Sequence, residues 1–506
     1  MTRKARIIFA VIAGSVFCMH LSNIWRLETY PFTDLPNHLS EAYLFKALAD
    51  PNNPLQSYYK NEITVFTPGT LHTVFCALFP DVETGNRVFY SLYMAVLLLG
   101  MVILVHAAKG DVWIALLSML FFYNFSTLWG FAGYAMGLAL LLVAVAVLLK
   151  FTDQPTLFRA GTVCILMLLL YYCHLLVFFF AVVAFAVIIL RQKGFVSNRL
   201  LGLIALTPGV ILSLLWINRS PSLYSATHAF LLNYYQHEYT GSLIVRLYTI
   251  LFIDNFLDAG RGWKLFSLAF SAPLLGGLAA GLLLRRGSPP EVPATMNVRR
   301  TAQWFLLVGT LCFLFAPNRL PGWTYFFERF SVITLLGIIW LLSFVFPQRV
   351  LAFVRVCVVL IVVAHACAWY QYFGQFREAA KPFRALLDKN PDAAGRSLAA
   401  IIADYDFRGH PALIHFQNYQ LIWNQGAAPG KFLEYRFRLF SRRNPDVLPD
   451  YYEWVWSDTW AEALVGRYEN MDLLLCHGSE AMGDTVVRRG YDLLARSDGW
   501  MLYRRR

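Results

Sequence analysis

A chain of 506 residues that is 58% hydrophobic and only 15% charged is not a soluble globular protein, which would carry roughly a quarter charged residues. Its formal net charge of +12 is not a nucleic-acid footprint either, because the tail from Gly374 onward holds 18 basic against 17 acidic residues. A basic face in the soluble part would be needed for that. The excess lies instead in short loops between apolar runs, where Lys and Arg set membrane orientation.

Arg3, Lys4 and Arg6 precede an apolar run from Ile7 to Leu21 with no small-x-small cleavage site after it. The run therefore reads as a retained first span with its N-terminus in the cytoplasm. Val88–Ala107, Tyr134–Leu149, Leu200–Ile217, Phe266–Leu284 and Leu351–Trp369 approach or meet the length of a bilayer crossing, about 20 residues. Ala160–Leu190 is apolar except for Tyr171-Tyr172-Cys173-His174. As one helix it would run about 46 Å, against a hydrocarbon core of about 30 Å. Arg159 before it and Arg191, Lys193 and Arg199 after it both want the cytoplasm, so two short spans with His174 at their outer turn are predicted. The chain then reads as a polytopic α-helical membrane protein of about eleven spans, with its C-terminal part outside. Eight cysteines, mostly inside apolar runs and none at CxxC spacing, suggest neither a zinc site nor a disulfide framework.

Two outer segments are long, about Asn23–Arg87 and Asn218–Gly262. Within the second, Ser242–Phe256 is apolar but broken by Arg246 and Asp254, and reads as an interfacial helix. The division predicted is a membrane module over 1–373 and an outer α/β domain over 374–506. In the latter, Phe376–Asn390 reads as an amphipathic helix, and Leu398–Ile402, Pro411–Phe416 and Met471–His477 as strands. Tyr491–Ser497 and Trp500–Arg505 flank Asp498-Gly499, a hairpin signal. With no phosphate-binding glycine loop, this domain reads as a stabilising or acceptor-contacting lid.

Candidate chemistry begins in the first outer segment. Pro36 suits the first turn of a helix, in which Asp34, His38 and Glu41 at i, i+4 and i+7 share a face. Two carboxylates and an imidazole together can do general acid/base work. The competing reading is that Asp34 caps the helix while His38 and Glu41 line a solvated face. Arg87, Arg261, Lys264, Arg319 and Arg329 sit where outer loops meet spans. Such cations suit a phosphate and the charge it gains on departure, or else snorkel to headgroups. His72, His174, His228 and His237, with Glu238, also fall outside; they leave room for a divalent metal, although their spacing matches no metal motif.

The first span followed at once by an Asp-containing outer helix resembles the GT-C glycosyltransferase superfamily. So do Thr67-Pro68-Gly69-Thr70-Leu71-His72, Glu83-Thr84-Gly85-Asn86-Arg87, the short hairpin with His174, Pro321-Gly322-Trp323 and Glu328-Arg329-Phe330. The pattern is most similar to the bacterial branch related to protein O-mannosyltransferases and lipid A aminoarabinose transferases. The resemblance implies a bacterial inner-membrane enzyme that moves a sugar from a polyprenyl-phosphate carrier to an acceptor at the outer face. Asp34 would then be the acid that deprotonates the acceptor or binds a metal, with Asp34-Leu35 standing where many members have Asp-Glu. The next outer loop, Asn124–Gly133, lacks the second acid often found there; His38 or Glu41 would substitute. A lipid-linked glycan polymerase or ligase shares this chemistry, and a transporter or flippase is the reading from another class. Against the flippase, no inverted repeat of hydropathy is visible.

Overall fold

The computed structural model describes residues 2–191, 196–218, 293–317, 325–388, 390–433, 439–451, 458–478 and 480–506, together with Leu243, Val245, Arg246, Ala272, Leu275, Gly276, Gly277 and Ala279. The first helix, α1 (Arg3–Trp25), starts at Thr2, whose hydroxyl accepts from the Ala5 amide. In the segment after it, α2 (Leu35–Ala47), strand β1 (Tyr59–Asn61) and α3 (Leu71–Ala77) follow. Asp81 then caps α4 (Val82–Ala107), accepting from the amides of Glu83 and Thr84.

Beyond a 3₁₀ stretch (Val112–Phe121) and one turn of helix, α5 (Phe125–Leu128), come α6 (Ala132–Asp153), α7 (Leu157–Cys173), α8 (Leu175–Arg191) and α9 (Val196–Asn218). The later helices are α10 (Pro293–Phe315), α11 (Phe326–Leu342) and α12 (Gln348–Asp388). Five of them, α1, α4, α6, α9 and α12, are long and apolar enough to cross a bilayer. Large side chains exposed on them, such as Val11, Leu214 and Leu360, are what lipid would solvate. The 31-residue apolar run divides into two 17-residue helices, and His174 between them has extended backbone (φ −166°, ψ 123°). The expected span Phe266–Leu284 and interfacial helix Ser242–Phe256 lie almost wholly outside the described residues, so eleven spans stays an expectation.

Helix α6 packs on α4, α7 and α8, and α10 lies along α11. Arg246 is fully buried at the end of α10 and donates to the carbonyls of Phe313 (2.7 Å), Leu314 (2.7 Å) and Ala316 (2.5 Å). A cation there satisfies carbonyls that a helix C-terminus leaves open.

No linker separates the two expected domains. Helix α12 runs 41 residues without a break through position 373, even with Pro382 inside it. Its aromatic side chains continue from one side to the other: Trp369 and Phe373 pack on Tyr123, Phe376 on Phe407, and Phe383 on Phe416.

The C-terminal part carries a four-stranded sheet of order β2-β4-β6-β5, from β2 (Leu398–Ile402), β4 (Leu473–His477), β5 (Tyr491–Ser497) and β6 (Trp500–Arg505). Strand β2 is parallel to β4, while β4–β6 and β5–β6 are antiparallel. The expected strand Pro411–Phe416 does not form; these residues make buried turns. Pro411 has no amide to give a ladder, and the polar neighbours of its apolar residues are used elsewhere, as the site shows.

A second sheet joins the two ends of the chain. Strand β1 pairs antiparallel with β3 (Phe440–Arg442), in register Tyr59–Arg442. The buried Tyr59 hydroxyl donates to the Ala428 carbonyl and accepts from the Ala428 amide, both at 2.8 Å. The C-terminal part and the segment following α1 are thus joined through this sheet.

Candidate active site

Asp34 stands at the entrance of α2, yet its carboxylate makes no capping bond. The backbone is held instead from the loop before α6: the Thr33 amide donates to the Leu128 carbonyl (2.8 Å) and the Asp34 amide to that of Trp129 (3.1 Å). This close approach depends on Gly130, at φ +85°, where a Cβ would stand 2.5 Å from the Leu35 amide nitrogen and 2.8 Å from that of Asp34. The loop expected to lack a second acid therefore serves Asp34 through its backbone. Asp34 is 4% exposed, and its Oδ1 lies 3.1 Å from Nε2 of His415, a fully buried ring.

One turn along α2, His38 Nδ1 meets Glu41 Oε2 at 3.0 Å. The shared face is not solvated, since Glu41 is buried; only the His38 side chain, 28% exposed, opens outward. Burial opposes a protonated His38, but the hydrogen bond and charge of Glu41, helped by Asp34 and opposed by Arg329, outweigh it and raise its pKa. His72 behaves differently. It hydrogen-bonds Asn86 (2.9 Å) and packs edge-on against Phe89, and burial, with the charge of His38, pushes its pKa down to about 3. It is a neutral side chain, bonded through Nε2 only.

Opposite this face, Arg329 comes from the first turn of α11 and is mostly buried. Its Nη1 meets Nε2 of His174 at 3.2 Å, which fixes that ring nitrogen as the acceptor, and its guanidinium lies 4.0 Å over the Phe131 ring. The Tyr134 hydroxyl donates to its carbonyl. Arg329, His174 and His38 act on one another electrostatically. Glu328 precedes Arg329 in the same turn, and its carbonyl accepts from Ser331 (2.6 Å).

Arg87 takes another place. Its Nε donates to the Tyr30 hydroxyl (3.3 Å) and its Nη2 to the Leu27 carbonyl (3.1 Å), tying α4 to the chain leaving α1. Arg261, Lys264, Arg319, His228, His237 and Glu238, with the Pro321-Gly322-Trp323 motif, lie outside the described residues.

The sequence did not indicate what the C-terminal part brings. A tight turn places both Arg408 and Gly409 at positive φ, with Phe407 and His410 exchanging backbone hydrogen bonds across it, as a type I′ turn requires. His410 thereby reaches the membrane module, where its Nε2 lies 3.0 Å from both the Leu128 carbonyl and the Thr33 hydroxyl. Burial pushes its pKa down to about 4 against the pull of the Leu128 carbonyl. Further on, the Ser40 hydroxyl donates to the Asn418 carbonyl (3.1 Å), and Asn418 Nδ2 to Asn37 Oδ1 (2.6 Å). The one available signal was three histidines in an otherwise neutral tail, His410, His415 and His477.

A divalent metal stays an expectation, because His228, His237 and Glu238 lie outside the described residues. Among the described residues no three His, Cys, Asp or Glu side chains are disposed to hold one.

No protein-family model matches the sequence, and no curated protein does. Among solved structures the chain is similar to a mutant arabinofuranosyltransferase AftD from Mycobacteria, seen by single-particle cryo-EM in two classes. One class matches with TM-score 0.48 and 12% identity over 100% of this chain and 42% of that one. The other has TM-score 0.42 and 13% identity over 100% and 41%. The chain thus spans less than half the length of these structures, and likeness at this level decides neither fold nor function.

Proposed function

We propose that this chain is a membrane glycosyltransferase of the GT-C type, moving a sugar from a polyprenyl-phosphate donor to an acceptor hydroxyl at the outer face of a bacterial inner membrane. The observation that carries the reading is the buried Asp34, unused as a cap, beside the His38–Glu41 pair and within the field shared by His38, Arg329 and His174. Intramembrane and interfacial ionisable groups are costly and suggest function.

In this reading Asp34 accepts the proton of the acceptor hydroxyl. The freed oxygen bonds to the anomeric carbon from the face opposite the phosphate, which inverts the centre. The anomeric carbon–phosphate oxygen bond breaks, and its electron pair leaves on the polyprenyl phosphate. Arg329, held by His174 and Phe131, would balance that charge; Arg261, Lys264 and Arg319 are proposed to join it. His38 and Glu41 would hold the acceptor beside Asp34.

The test is full-length protein in liposomes with a panel of radiolabelled polyprenyl-phosphate sugars and membrane-lipid acceptors. Wild type is expected to release free polyprenyl phosphate with label on a new product, and Asp34→Asn to lose this while keeping its melting temperature. Transfer at the wild-type rate by Asp34→Asn would remove the acid from the mechanism. Carrier reaching the opposite leaflet uncleaved would favour the flippase.

A further inference from the structure

We propose that α1 and α12 form a binding site for an anionic glycerophospholipid, with Arg26 and Arg377 holding its phosphate and one face of α12 carrying its acyl chains.

That face is continuous. Leu360, Val363, Cys367, Tyr370, Gly374, Arg377 and Lys381 recur every three or four residues along α12 and so share one side of the helix. The first four are exposed and apolar or aromatic, whereas Arg377 and Lys381 are exposed and cationic. Leu360 to Tyr370 covers about 15 Å of helix, half of a hydrocarbon core of about 30 Å. The order along the helix is that of an amphiphile: chain, boundary, head. Trp25 and Tyr370, both exposed where the end of α1 meets α12, suit the boundary, as amphipathic rings do at a membrane surface.

Arg26 supplies the grip. It follows the last residue of α1 and lies across α12, its guanidinium carbon 3.9 Å from the centre of the Tyr370 ring and its Nη2 donating to the Tyr370 carbonyl (2.5 Å). It passes over Gly374, where a Cβ would already touch Nη2 at 3.8 Å and a longer side chain would fill the space. A snorkelling side chain reaches away into water; this one is laid back along the face. Its Nε is buried without a hydrogen-bond partner. Burial opposes its charge first, and the nearby charge of Arg377 opposes it as well. Glu378 pairs with Arg377 (3.1 Å) and with Lys381, so one carboxylate meets two cations while Arg26 is paired with no carboxylate among the described residues. Exposed ion pairs of this kind hold weakly. A phosphate, which guanidinium groups bind through paired N–H donors, satisfies both arginines at once, and the apolar stretch below them makes it the phosphate of a lipid.

The test is independent of sugar transfer. Full-length protein, stripped of lipid in detergent, is titrated with phosphatidylglycerol and with phosphatidylcholine, and native mass spectrometry counts the bound molecules. Phosphatidylcholine carries the same phosphate but with a cation beside it, which Lys381 would repel. Wild type is expected to hold one phosphatidylglycerol about tenfold more tightly than phosphatidylcholine, the scale of one charge-assisted contact. Arg26→Gln is expected to lose that preference. Arg377→Gln, at an exposed position, is expected to reduce it and decides the matter should Arg26→Gln fail to fold. Arg504→Gln, which removes an exposed cation on β6, is expected to keep it. Equal affinity for the two lipids in wild type, a preference that survives in the folded variants of Arg26 and Arg377, or one that falls equally in Arg504→Gln would overturn the proposal. So would release of bound phosphatidylglycerol by millimolar inorganic phosphate, which would make this a site for a free anion.

Discussion

Gly130→Ala is expected to do far more harm than an alanine at another left-handed glycine. Gly69 sits at φ +73° with nothing within 4 Å of where its Cβ would be, whereas Gly130 at φ +85° would drive its Cβ to 2.5 Å from the Leu35 nitrogen and 2.8 Å from that of Asp34. Both substitutions bear the left-handed penalty of about 1–2 kcal/mol. Only Gly130→Ala adds overpacking against backbone atoms, about 1–3 kcal/mol, and loosens the two amide bonds at Thr33 and Asp34, each worth about 1 kcal/mol. The difference between the two variants should therefore be about 3 kcal/mol. Denaturant unfolding of both proteins in the same detergent, followed by the fluorescence of the aromatic core, measures it. A Gly130→Ala protein no less stable than Gly69→Ala would refute the view that this glycine sets the position of Asp34.

Other outcomes are specific. The pKa of His38 is raised in the folded protein, so its pairing with Glu41 stabilises fully below the unfolded value near 6.5 and fades as pH rises through the folded one; Glu41→Gln should flatten the melting temperature over that window. His410 has the opposite sign. Held neutral with a pKa of about 4, it should cost stability as pH falls from about 6.5 toward 4, because the unfolded chain binds the proton first, and His410→Gln should shrink that acid loss. Tyr59→Phe removes two buried hydrogen bonds to Ala428 and should cost about 2 kcal/mol, seen as faster proteolytic cleavage between β1 and β3.

What could be read in advance followed from rules acting over short stretches. Basic residues at both ends of Arg159–Arg199 argued for two short helices rather than one, and the chain breaks at His174. Asp498-Gly499 marked a hairpin because both residues adopt positive φ. The i, i+4, i+7 spacing placed Asp34, His38 and Glu41 together, but not their burial: the helix is enclosed on its polar side by Asn418 and His415 from the far end of the chain. Periodicity has no access to such a partner. Leu413, Ile414 and Phe416 imitate a strand, while the segment's polar residues are committed to the membrane module. Likewise, the composition changes near 373 as expected, but a change in what surrounds a helix does not end it.

The uninterrupted α12 has a mechanical consequence. Its 41 residues make a mast of about 60 Å, twice the thickness of the oily layer it stands in. Cargo lashed to its upper half rides at one fixed height instead of swinging on a tether, so the reach of the histidine-bearing loop is set by the mast's stiffness.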